Sequence, residues 1–307
     1  MKYNTVIVTG GSGFIGSHLV DRLVDQAKRV VVIDKARPSK LNKNPKAVYK
    51  KIDIRDEAVV NVFKKEQPDL LFHLAAHILD RESMREPALN AQHNVIGALH
   101  AFEGMRRFGK GKVVFTSSCA VYGNQTTLPI TEVVVPSPET PYGITKFVGE
   151  QYLRFYHRHH DIPFVALRLG NVYGPRQDSS AESGAISIFT SKLLRGEVAT
   201  INNDGRTTRD YVYVQDVVSA HLMAAESSYV GVANIGTGVG TSTEDVFTSV
   251  RDAVGSQSVA DRDESVADLL KNIRLDASLA KNQFGWEPQT RFEEGLQETV
   301  SWYRKHI

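Results

Sequence analysis

The stretch TGGSGFIGSH, residues 9–18, decides the fold of this chain. It follows a β-branched run at Thr5–Thr9 and opens a helical stretch, which is the context that a dinucleotide-binding turn requires. Glycines at its start permit a tight turn, a middle glycine lets the backbone approach a pyrophosphate, and the last allows close helix–strand packing. The helix N-terminus adds amides and a partial positive charge. The turn therefore predicts a dinucleotide site contacted by Gly10, Gly13, Phe14, Ile15 and Gly16.

A carboxylate after the second apolar run indicates which dinucleotide binds. The run Val30–Asp34 ends in Asp34, roughly twenty residues beyond the glycines, where an acidic side chain binds the hydroxyls of the adenosine ribose. The same carboxylate repels a 2′-phosphate, so we predict tightly bound NAD rather than NADP. Lys35 and Arg37 lie close by and leave the phosphorylated cofactor open as the alternative.

Short β-branched runs alternate with amphipathic helical stretches through the first half of the chain. This alternation, with strands that are apolar throughout, predicts a doubly wound parallel sheet with helices on both faces. The predicted strands are Thr5–Thr9, Val30–Asp34, Ala47–Lys51, Leu70–Leu74, Val113–Ser117 and Pro163–Arg168. The predicted helices include Ile15–Gln26, Ala88–Phe108, Pro141–His160, Ala185–Arg195 and Phe292–His306.

The pattern loosens after Gly170, where loops rich in Gly, Pro, Ser and Asp begin. We therefore predict an α/β chain of two regions with an interleaved boundary. Residues 1–170 form a Rossmann domain that binds the dinucleotide and carries the catalytic side chains. Residues 171–307 mainly form a smaller, mixed α/β lobe that binds the substrate.

Charge and cysteine content exclude several classes of protein. The 307-residue chain has 37 basic and 35 acidic residues, a balance that argues against a dedicated nucleic-acid or membrane-surface binder. Its single cysteine, Cys119, excludes an internal disulfide framework and a cysteine-based metal site. The HRHH run at residues 157–160 is typical of a solvated helix end, so we predict no metal site. No apolar run is long enough to span a membrane, and we expect a cytoplasmic location.

A tyrosine and a lysine four residues apart, Tyr142 and Lys146, are the candidate catalytic pair. On a helix this spacing puts both side chains on one face, so that a phenol and an ammonium can serve one pocket. Exposed pairs with this spacing are common, so its meaning depends on the rest of the chain. Here a serine pair, Ser117-Ser118, ends the strand that precedes the helix.

With these residues, the chain resembles the extended short-chain dehydrogenase/reductase family, and within it the nucleotide-sugar 4-epimerases. The likeness covers nearly the whole chain through ordered motifs. They are TGGSGFIGSH, KIDIRD, FHLAAH, NVIGA, TSSCAVYG, PYGITKFVGEQ, LRLGNVYGPRQ, GRTTRDYVYVQDV, NIGTG and FGWEP.

The resemblance implies roles for particular residues. Ser118, Tyr142 and Lys146 would form the catalytic triad, and Tyr142 and Lys146 would also contact the cofactor. The other implied cofactor contacts are Asp53 and Ile54 at the adenine, Leu74, Ala75 and Ala76 beside the nicotinamide, and Asn94 in support. The implied substrate contacts are Ser118, Asn171, Ile186, Thr200, Asn202, Arg209 and Arg262.

The implied reaction is the NAD-dependent 4-epimerisation of a nucleotide-activated hexose through a transient 4-keto sugar. UDP-glucose and UDP-galactose, or an N-acetyl or uronic acid relative, are the expected substrates. Tyr142 would exchange the proton of the C4 hydroxyl, with positive charge from Lys146 and the oxidised nicotinamide favouring its phenolate. Ser118 would orient the reacting oxygen. The resemblance also implies a homodimer formed through Ala88–Phe108 and Pro141–His160.

Other reactions on this fold stay open as alternatives, namely dehydration, decarboxylation and net reduction, as does a non-catalytic NAD-sensing protein. Dehydratases and decarboxylases of this family carry an acid just after the serine, where this chain has Cys119 and Ala120. Asp34 disfavours a reductase that uses a phosphorylated cofactor. The intact triad disfavours a protein without activity.

Three departures from the family pattern bear on the substrate. The turn after Ala76 carries His77, Asp80 and Arg81, which either face the hexose or form a solvated ion pair. Asn202 replaces the usual aromatic residue at the nucleobase, which leaves GDP and CDP open beside UDP. The diphosphate-binding arginine near the C-terminus is Arg262 or Arg274, and a small Asn272 would admit an N-acetyl group.

Overall fold

The computed structural model describes residues 1–78, 80–179, 184–263, 265 and 271–307, and the side chains of Asp80 and Arg81 lie outside the described part. The strands are β1 (Tyr3–Thr9), β2 (Ala27–Asp34), β3 (Val48–Lys51), β4 (Leu70–His73), β5 (Lys112–Ser118), β6 (Phe164–Leu169), β7 (Asn171–Tyr173), β8 (Thr200–Asn202), β9 (Thr208–Tyr213), β10 (Gly231–Ile235), β11 (Gly240–Ser242) and β12 (Asp261–Asp263). The α-helices are α1 (Phe14–Leu23), α2 (Ala58–Glu66), α3 (Asp80–Arg85), α4 (Pro87–Ala91), α5 (Gly97–Phe108), α6 (Pro141–His160), α7 (Ala185–Leu194), α8 (Val214–Glu226), α9 (Thr243–Val254), α10 (Ser278–Phe284) and α11 (Phe292–His306).

Seven parallel strands form the main sheet in the order β10-β6-β5-β4-β1-β2-β3. The order reverses between β1 and β4, and in an open α/β sheet ligands bind outside the carboxyl ends of the strands at such a point. The predicted doubly wound Rossmann sheet is therefore confirmed.

Alternating side chains of β1 explain why helices cover both faces of the sheet. Val6 and Val8 point to one side, where they join a core with apolar residues of α1 and α8. Ile7 points to the other side, into a core with residues of α2, α5 and α6. Since side chains alternate along a strand, a run that is apolar at every position can only be buried on both faces.

The smaller, mixed region contains two further sheets, β11-β9-β7 and β12-β8. Its separate core is formed by residues of α7, α9, α11 and β9. Strand β10, although it lies well beyond residue 170, pairs with β6 and completes the main sheet. The division at residue 170 remains a prediction, as no independent criterion separates the two regions.

Helices α6 and α11 have the predicted bounds, whereas others differ. The predicted helix Ile15–Gln26 ends at Leu23, because the chain turns there and β2 already begins at Ala27. The predicted helix Ala88–Phe108 is made of α4, a π-helical turn at Gln92–Ile96, and α5.

Three observations bear on the predicted classes of protein. Residues 157–160 are all exposed, as a solvated helix end requires. Within the described ranges, no helix has the length and apolar character to cross a membrane. Over the same residues, no group of three or more acidic, histidine or cysteine side chains is arranged to hold a metal ion.

Candidate active site

The glycine turn lies at the point where the strand order reverses, between β1 and β4. Gly10 has a positive φ of +73°, and a Cβ there would lie 2.6 Å from the backbone nitrogen of Ala75, in the loop after β4. A Cβ on Gly16 would lie 2.2 Å from the carbonyl oxygen of Gly10, so α1 packs directly on the turn. Only glycine permits both approaches, and the two loops meet at the predicted cofactor site.

The residues present at this turn fit a dinucleotide. A Cβ on Gly13 would approach only the Gly10 oxygen, at 3.4 Å, so its outer side is open at the N-terminus of α1. Gly13 is the N-cap of α1, and no side chain caps the helix there. The Asp34 carboxylate accepts hydrogen bonds from the amides of Ser12 and Ala36, each at 3.0 Å, which fixes it beside the turn. An open amide cradle with a carboxylate beside it matches a pyrophosphate and a ribose.

The predicted adenine side follows strand β3. Asp53 accepts hydrogen bonds from the guanidinium of Arg55 at 2.8 and 3.0 Å. These bonds lower the pKa of Asp53 to about 2, so it is ionised at neutral pH. Ile54 is buried against Gly97, and its carbonyl oxygen lies 3.0 Å from Nδ1 of His100.

Asn94, in the π-helical turn, joins the loop after β4 to helix α6. Its Oδ1 accepts from the amide of His77 at 2.7 Å, and its Nδ2 lies 3.0 Å from both the His77 carbonyl oxygen and Oγ1 of Thr145. Asn94 is buried. It therefore fixes the backbone of the predicted nicotinamide loop relative to the residue that precedes Lys146.

His77, one of the residues at which the chain departs from the family pattern, contacts His93 and Glu82. The His77 ring stacks on His93 with centroids 5.4 Å apart, and its Nε2 lies 3.3 Å from Oε2 of Glu82. The side chains of Asp80 and Arg81, named as a possible sugar contact, lie outside the described residues.

Close packing of α6 brings the predicted catalytic residues to one place. Ser118 ends β5, and its Oγ accepts a hydrogen bond from the amide of Ala120 at 3.1 Å. A Cβ on Gly143 would lie 2.5 Å from the Ala120 carbonyl oxygen, so the first turn of α6 rests on the turn that follows Ser118. Tyr142 lies in that first turn, and its amide donates to Oγ of Ser83 at 3.3 Å.

Lys146 lies one helical turn further along, beneath Tyr142. Its Nζ is 5.7 Å from the centre of the Tyr142 ring and donates to the carbonyl oxygen of Thr116 at 2.7 Å. Only 3% of the residue is exposed. Burial lowers the pKa of Lys146 to about 7, and the nearby charge of Glu150 opposes this shift. The site can therefore place a phenol, a hydroxyl and a buried amine around one reacting group.

The predicted substrate residues of the smaller region lie on its strands. Asn171 begins β7 and pairs with Tyr211, while Thr200 and Asn202 bound β8. Ile186 is buried in the local core, so a substrate could reach only its backbone.

Arg209 lies on β9 beside the segment that precedes Asp276. Its Nη1 donates to the carbonyl oxygens of Thr208, at 3.1 Å, and of Lys271. Oδ1 of Asn272 accepts from both the amide and the hydroxyl of Thr208 at 3.0 Å. Arg209 and Asn272 are thus held by the same short stretch of backbone.

The two candidate diphosphate arginines have different surroundings. Arg262 donates to Oε2 of Glu244 at 2.6 Å and to the carbonyl oxygen of Asp204 at 3.3 Å. Arg274 has a buried Nε that makes no hydrogen bond to the residues described. Arg262 belongs to a wide cavity of about 600 Å³, which we call the outer cavity, lined by Asp204, Arg206, Ser242, Glu244 and Arg262.

Sequence reasoning missed the polar residues behind Lys146. Glu150 and Arg168 form a buried ion pair, and Ser117 donates to Glu150 at 2.6 Å. The signal was available, because Glu150 follows Lys146 by the same four residues that separate Lys146 from Tyr142.

Comparison with known proteins adds to this geometry. The profile of the NAD-dependent epimerase/dehydratase family matches residues 6–236. A putative UDP-glucose 4-epimerase of Methanocaldococcus jannaschii is 38% identical over 303 residues, which are 98% of this chain and 99% of the relative. The crystal structure of a UDP-glucose 4-epimerase from Thermotoga maritima with UDP-glucose has a TM-score of 0.95 at 40% identity, covering 98% of this chain and 99% of the other. A UDP-N-acetylglucosamine 4-epimerase from Methanobrevibacter ruminantium, in complex with UDP-N-acetylmuramic acid, has a TM-score of 0.93 at 35% identity and full coverage of both chains.

Proposed function

Because the chain belongs to the NAD-dependent epimerase/dehydratase family, we propose that it catalyses the NAD-dependent 4-epimerisation of a UDP-activated hexose. The observation that carries the proposal is the packing of α6 on the turn after Ser118, which gathers Ser118, Tyr142 and Lys146 at the carboxyl end of β5. The glycine turn reaches the same edge of the sheet. Relatives named as UDP-glucose 4-epimerases, similar over almost their whole length, support this reaction.

NAD would be held by the open amides around Gly13, with Asp34 binding the adenosine ribose and the loop Leu74–Ala76 lining the nicotinamide side. When bound, it supplies reversible acceptance of a hydride at sugar C4. The site favours NAD over its phosphorylated form because the Asp34 carboxylate faces the position of a 2′-phosphate.

Tyr142 takes the proton of the C4 hydroxyl and returns it when the hydroxyl is restored. The Lys146 ammonium, 5.7 Å from the ring centre, favours the phenolate that this exchange requires. Ser118 donates to the sugar oxygen as it becomes a carbonyl, which stabilises the charge that develops there. Each group acts twice, once on each epimer, and no net oxidation results.

UDP is the nucleotide we assign, with glucose and galactose as the epimeric pair. Arg209 would pair with the diphosphate, since a guanidinium matches two phosphate oxygens, and Asn171 begins β7, the strand that pairs with the strand of Arg209. The support comes from the likeness to enzymes whose names specify UDP-glucose. Asn272, held against Thr208, is the residue at which we place the choice between a C2 hydroxyl and an N-acetyl group.

The test is an incubation of the purified protein with UDP-glucose and UDP-galactose, without added NAD, followed by chromatographic resolution of the products. We expect both to reach the same equilibrium mixture. UDP-N-acetylglucosamine, UDP-glucuronic acid, GDP-mannose and CDP-glucose complete the panel. Conversion of only an N-acetyl or uronic acid sugar would change the hexose assignment. No epimerisation of any sugar would overturn the reaction class.

We also propose that the protein acts in the cytoplasm as a homodimer through the helical segment Ala88–Phe108 and α6. Support comes from exposed apolar side chains on one face of α6, where Ile144, Tyr152 and Phe155 are 38–47% exposed. Ile96, just before α5, is exposed to the same degree. Sedimentation analysis should give about twice the chain mass, and Phe155→Asp should shift the protein toward monomer. A monomeric wild type would contradict this assembly.

A further inference from the structure

A row of buried polar side chains crosses the main sheet directly behind the catalytic pair. Ser117 on β5, Arg168 on β6 and Asn234 on β10 occupy paired positions of adjacent strands. Glu150 of α6 lies over this row. None of these residues has a part in the proton exchange assigned above, although each is less than 3% exposed.

Glu150 is the centre of the row. Its Oε1 accepts from Oγ of Ser117 at 2.6 Å and from Nε of Arg168 at 2.9 Å, and its Oε2 accepts from Nη2 of Arg168 at 2.6 Å. The Arg168 guanidinium lies 4.7 Å from the centre of the Tyr122 ring, and the Tyr122 hydroxyl donates to Oδ1 of Asn234 at 2.7 Å. The Glu150 carboxyl group is thus held in one orientation by three hydrogen bonds that it accepts.

The same two elements hold Glu150 and Lys146. Tyr142, Lys146 and Glu150 follow one another at intervals of four residues along α6, so their side chains share a face. On β5, the carbonyl oxygen of Thr116 accepts from Lys146 and the hydroxyl of the next residue, Ser117, donates to Glu150. The carboxylate therefore lies behind the ammonium, on the side away from the phenol.

We propose that Glu150 is a positioning residue that keeps the buried Lys146 an ammonium beside Tyr142, with Arg168 and Ser117 fixing the carboxylate in place. Burial alone favours the neutral amine, since a charge loses its hydration in the interior. A fixed negative charge one helical turn away opposes that loss. The paired guanidinium prevents the carboxylate from accepting the lysine proton, so the carboxylate acts as a counter-charge and not as a base.

The other charged and titratable groups around Lys146 do not supply this counter-charge. His73 of β4 is fully buried, and its pKa is lowered to about 3 by burial and by the charge of Lys146, so it is neutral. Arg168 of β6 is positive and forms an ion pair with Glu150. Tyr142 on the same helix is the group that Lys146 serves. Burial lowers the pKa of Lys146, and the charge of Glu150 raises it.

The test follows the titration of Lys146 itself, by NMR of the NAD-loaded protein labelled with ¹³C at lysine Cε. The Lys146 signal is identified by its absence from Lys146→Met. In Glu150→Gln, which keeps the shape and removes the charge, we expect the Lys146 midpoint to fall by about one pH unit or more. Glu150→Asp, which keeps the charge on a shorter chain, should stay closer to the wild type.

Two further variants complete the design. Glu150→Gln/Arg168→Met removes both charges together and replaces the single variant if that one does not fold. Its Lys146 midpoint should also lie below that of the wild type. Glu103→Gln is the matched control, because Glu103 also accepts hydrogen bonds from an arginine, Arg106, and contacts α6 through the Tyr156 hydroxyl. Tyr156 lies ten residues beyond Lys146 on α6, about 15 Å at 1.5 Å per residue, so Glu103→Gln should leave the midpoint unchanged.

An unchanged Lys146 midpoint in both Glu150→Gln and Glu150→Gln/Arg168→Met would overturn the proposal. So would an Asp variant that shifts the midpoint more than Gln does, since that would indicate a role of shape alone. In turnover, the alkaline limb of the pH profile should move to lower pH in Glu150→Gln by the same amount as the midpoint. That second readout rests on the proposed function, whereas the titration needs no substrate and stands if the sugar or the reaction is assigned wrongly.

Discussion

Two charged regions of this molecule differ in how their charges are held. The buried row behind Lys146 contains the Glu150–Arg168 pair, whose side chains are 0% and 2% exposed. The outer cavity of the smaller region contains the Glu244–Arg262 pair, whose side chains are 43% and 47% exposed. Both pairs have a hydrogen bond of 2.6 Å, so the length of that bond does not distinguish them.

The surroundings decide what each pair can do. Removing one partner of a buried pair leaves an uncompensated charge in the interior and destabilises a protein by about 3–5 kcal/mol. An exposed pair contributes about 0–1 kcal/mol, because water and salt screen it. Substitutions in the buried pair should therefore cost the fold far more stability than substitutions in the exposed pair.

The largest effect should come from the catalytic end. Tyr142→Phe removes the proton carrier, and we expect kcat to fall by about 10²–10⁴-fold, the usual contribution of acid–base catalysis. NAD should remain bound, because the glycine turn and Asp34 are untouched. Released NAD is measured by absorbance after denaturation and turnover by product chromatography. Turnover at the wild-type level would refute the role of Tyr142.

The two ion pairs can be compared directly by matched substitutions. Arg168→Met should lower the free energy of unfolding by about 3–5 kcal/mol, because the buried Glu150 then loses the guanidinium that donates two hydrogen bonds to it. Arg262→Met should lower it by less than about 1 kcal/mol. Chemical denaturation of the two variants under one set of conditions measures both. Equal losses would show that burial does not distinguish the pairs.

Arg209 tests whether the smaller region holds the nucleotide. Arg209→Ala removes hydrogen bonds to a charged group, worth about 1.5–3 kcal/mol, so KM for UDP-galactose should rise by roughly 10- to 100-fold. The change should be mainly in KM, since the residue is remote from the reacting carbon. Arg206→Ala, on a side chain 88% exposed, is the control and should change KM little. A loss confined to kcat would contradict a role in binding.

A pH effect on stability should come from a histidine on the opposite face of β5. His221 is fully buried, lies 2.8 Å from Oγ1 of Thr116, and has its pKa lowered to about 4 by burial. Below pH ~6.5 His221 binds a proton in the unfolded chain, whereas in the folded protein it stays neutral until about pH 4. The free energy of unfolding should therefore fall in this window by up to ~1.4 kcal/mol per pH unit, and be unaffected by His221 above it.

His221→Gln should make this acid slope shallower, because the substituted side chain takes up no proton in either state. Carboxylates and His73 contribute to the slope of both proteins, so the informative quantity is the difference between wild type and variant. Identical slopes from denaturation at pH 4.5, 5.5, 6.5 and 7.5 would show that His221 does not titrate as expected.

The glycine turn and helix α6 could be predicted because short, contiguous sequence patterns indicate them. The glycines of Thr9–His18 and the stretch Pro141–His160 carry their structural requirements within a few residues. Strand β10 could not be found in the same way, because its short run, GVANI, joins the sheet by pairing with β6, more than sixty residues earlier. The fold class followed from the pattern, whereas the last strand of the sheet depended on distant pairing.

At the candidate active site, the proposed catalytic residues could be predicted, but the buried residues that pack behind them could not. Tyr142 and Lys146 were indicated by spacing, but the partners of Glu150 come from two different strands, β5 and β6, and cannot be read from one stretch of chain. The same limit applies to Arg262, whose pairing with Glu244 brings together residues that a motif does not connect. Distance along the chain, rather than residue type, separates what could be predicted from what could not.

The π-helical turn at Gln92–Ile96 sets the rotational phase between the two halves of its helix. Each residue of an α-helix advances the side chains by about 100°, and a π turn accommodates one residue more than an α turn. Deleting a single residue there would let the turn relax to regular α-helix and swing Asn94 away from His77 and Thr145. Phe102 would keep its place in the core. A one-residue deletion at this point would thus leave a folded protein with a misaligned active site, which makes the turn a place where chain length itself is under constraint.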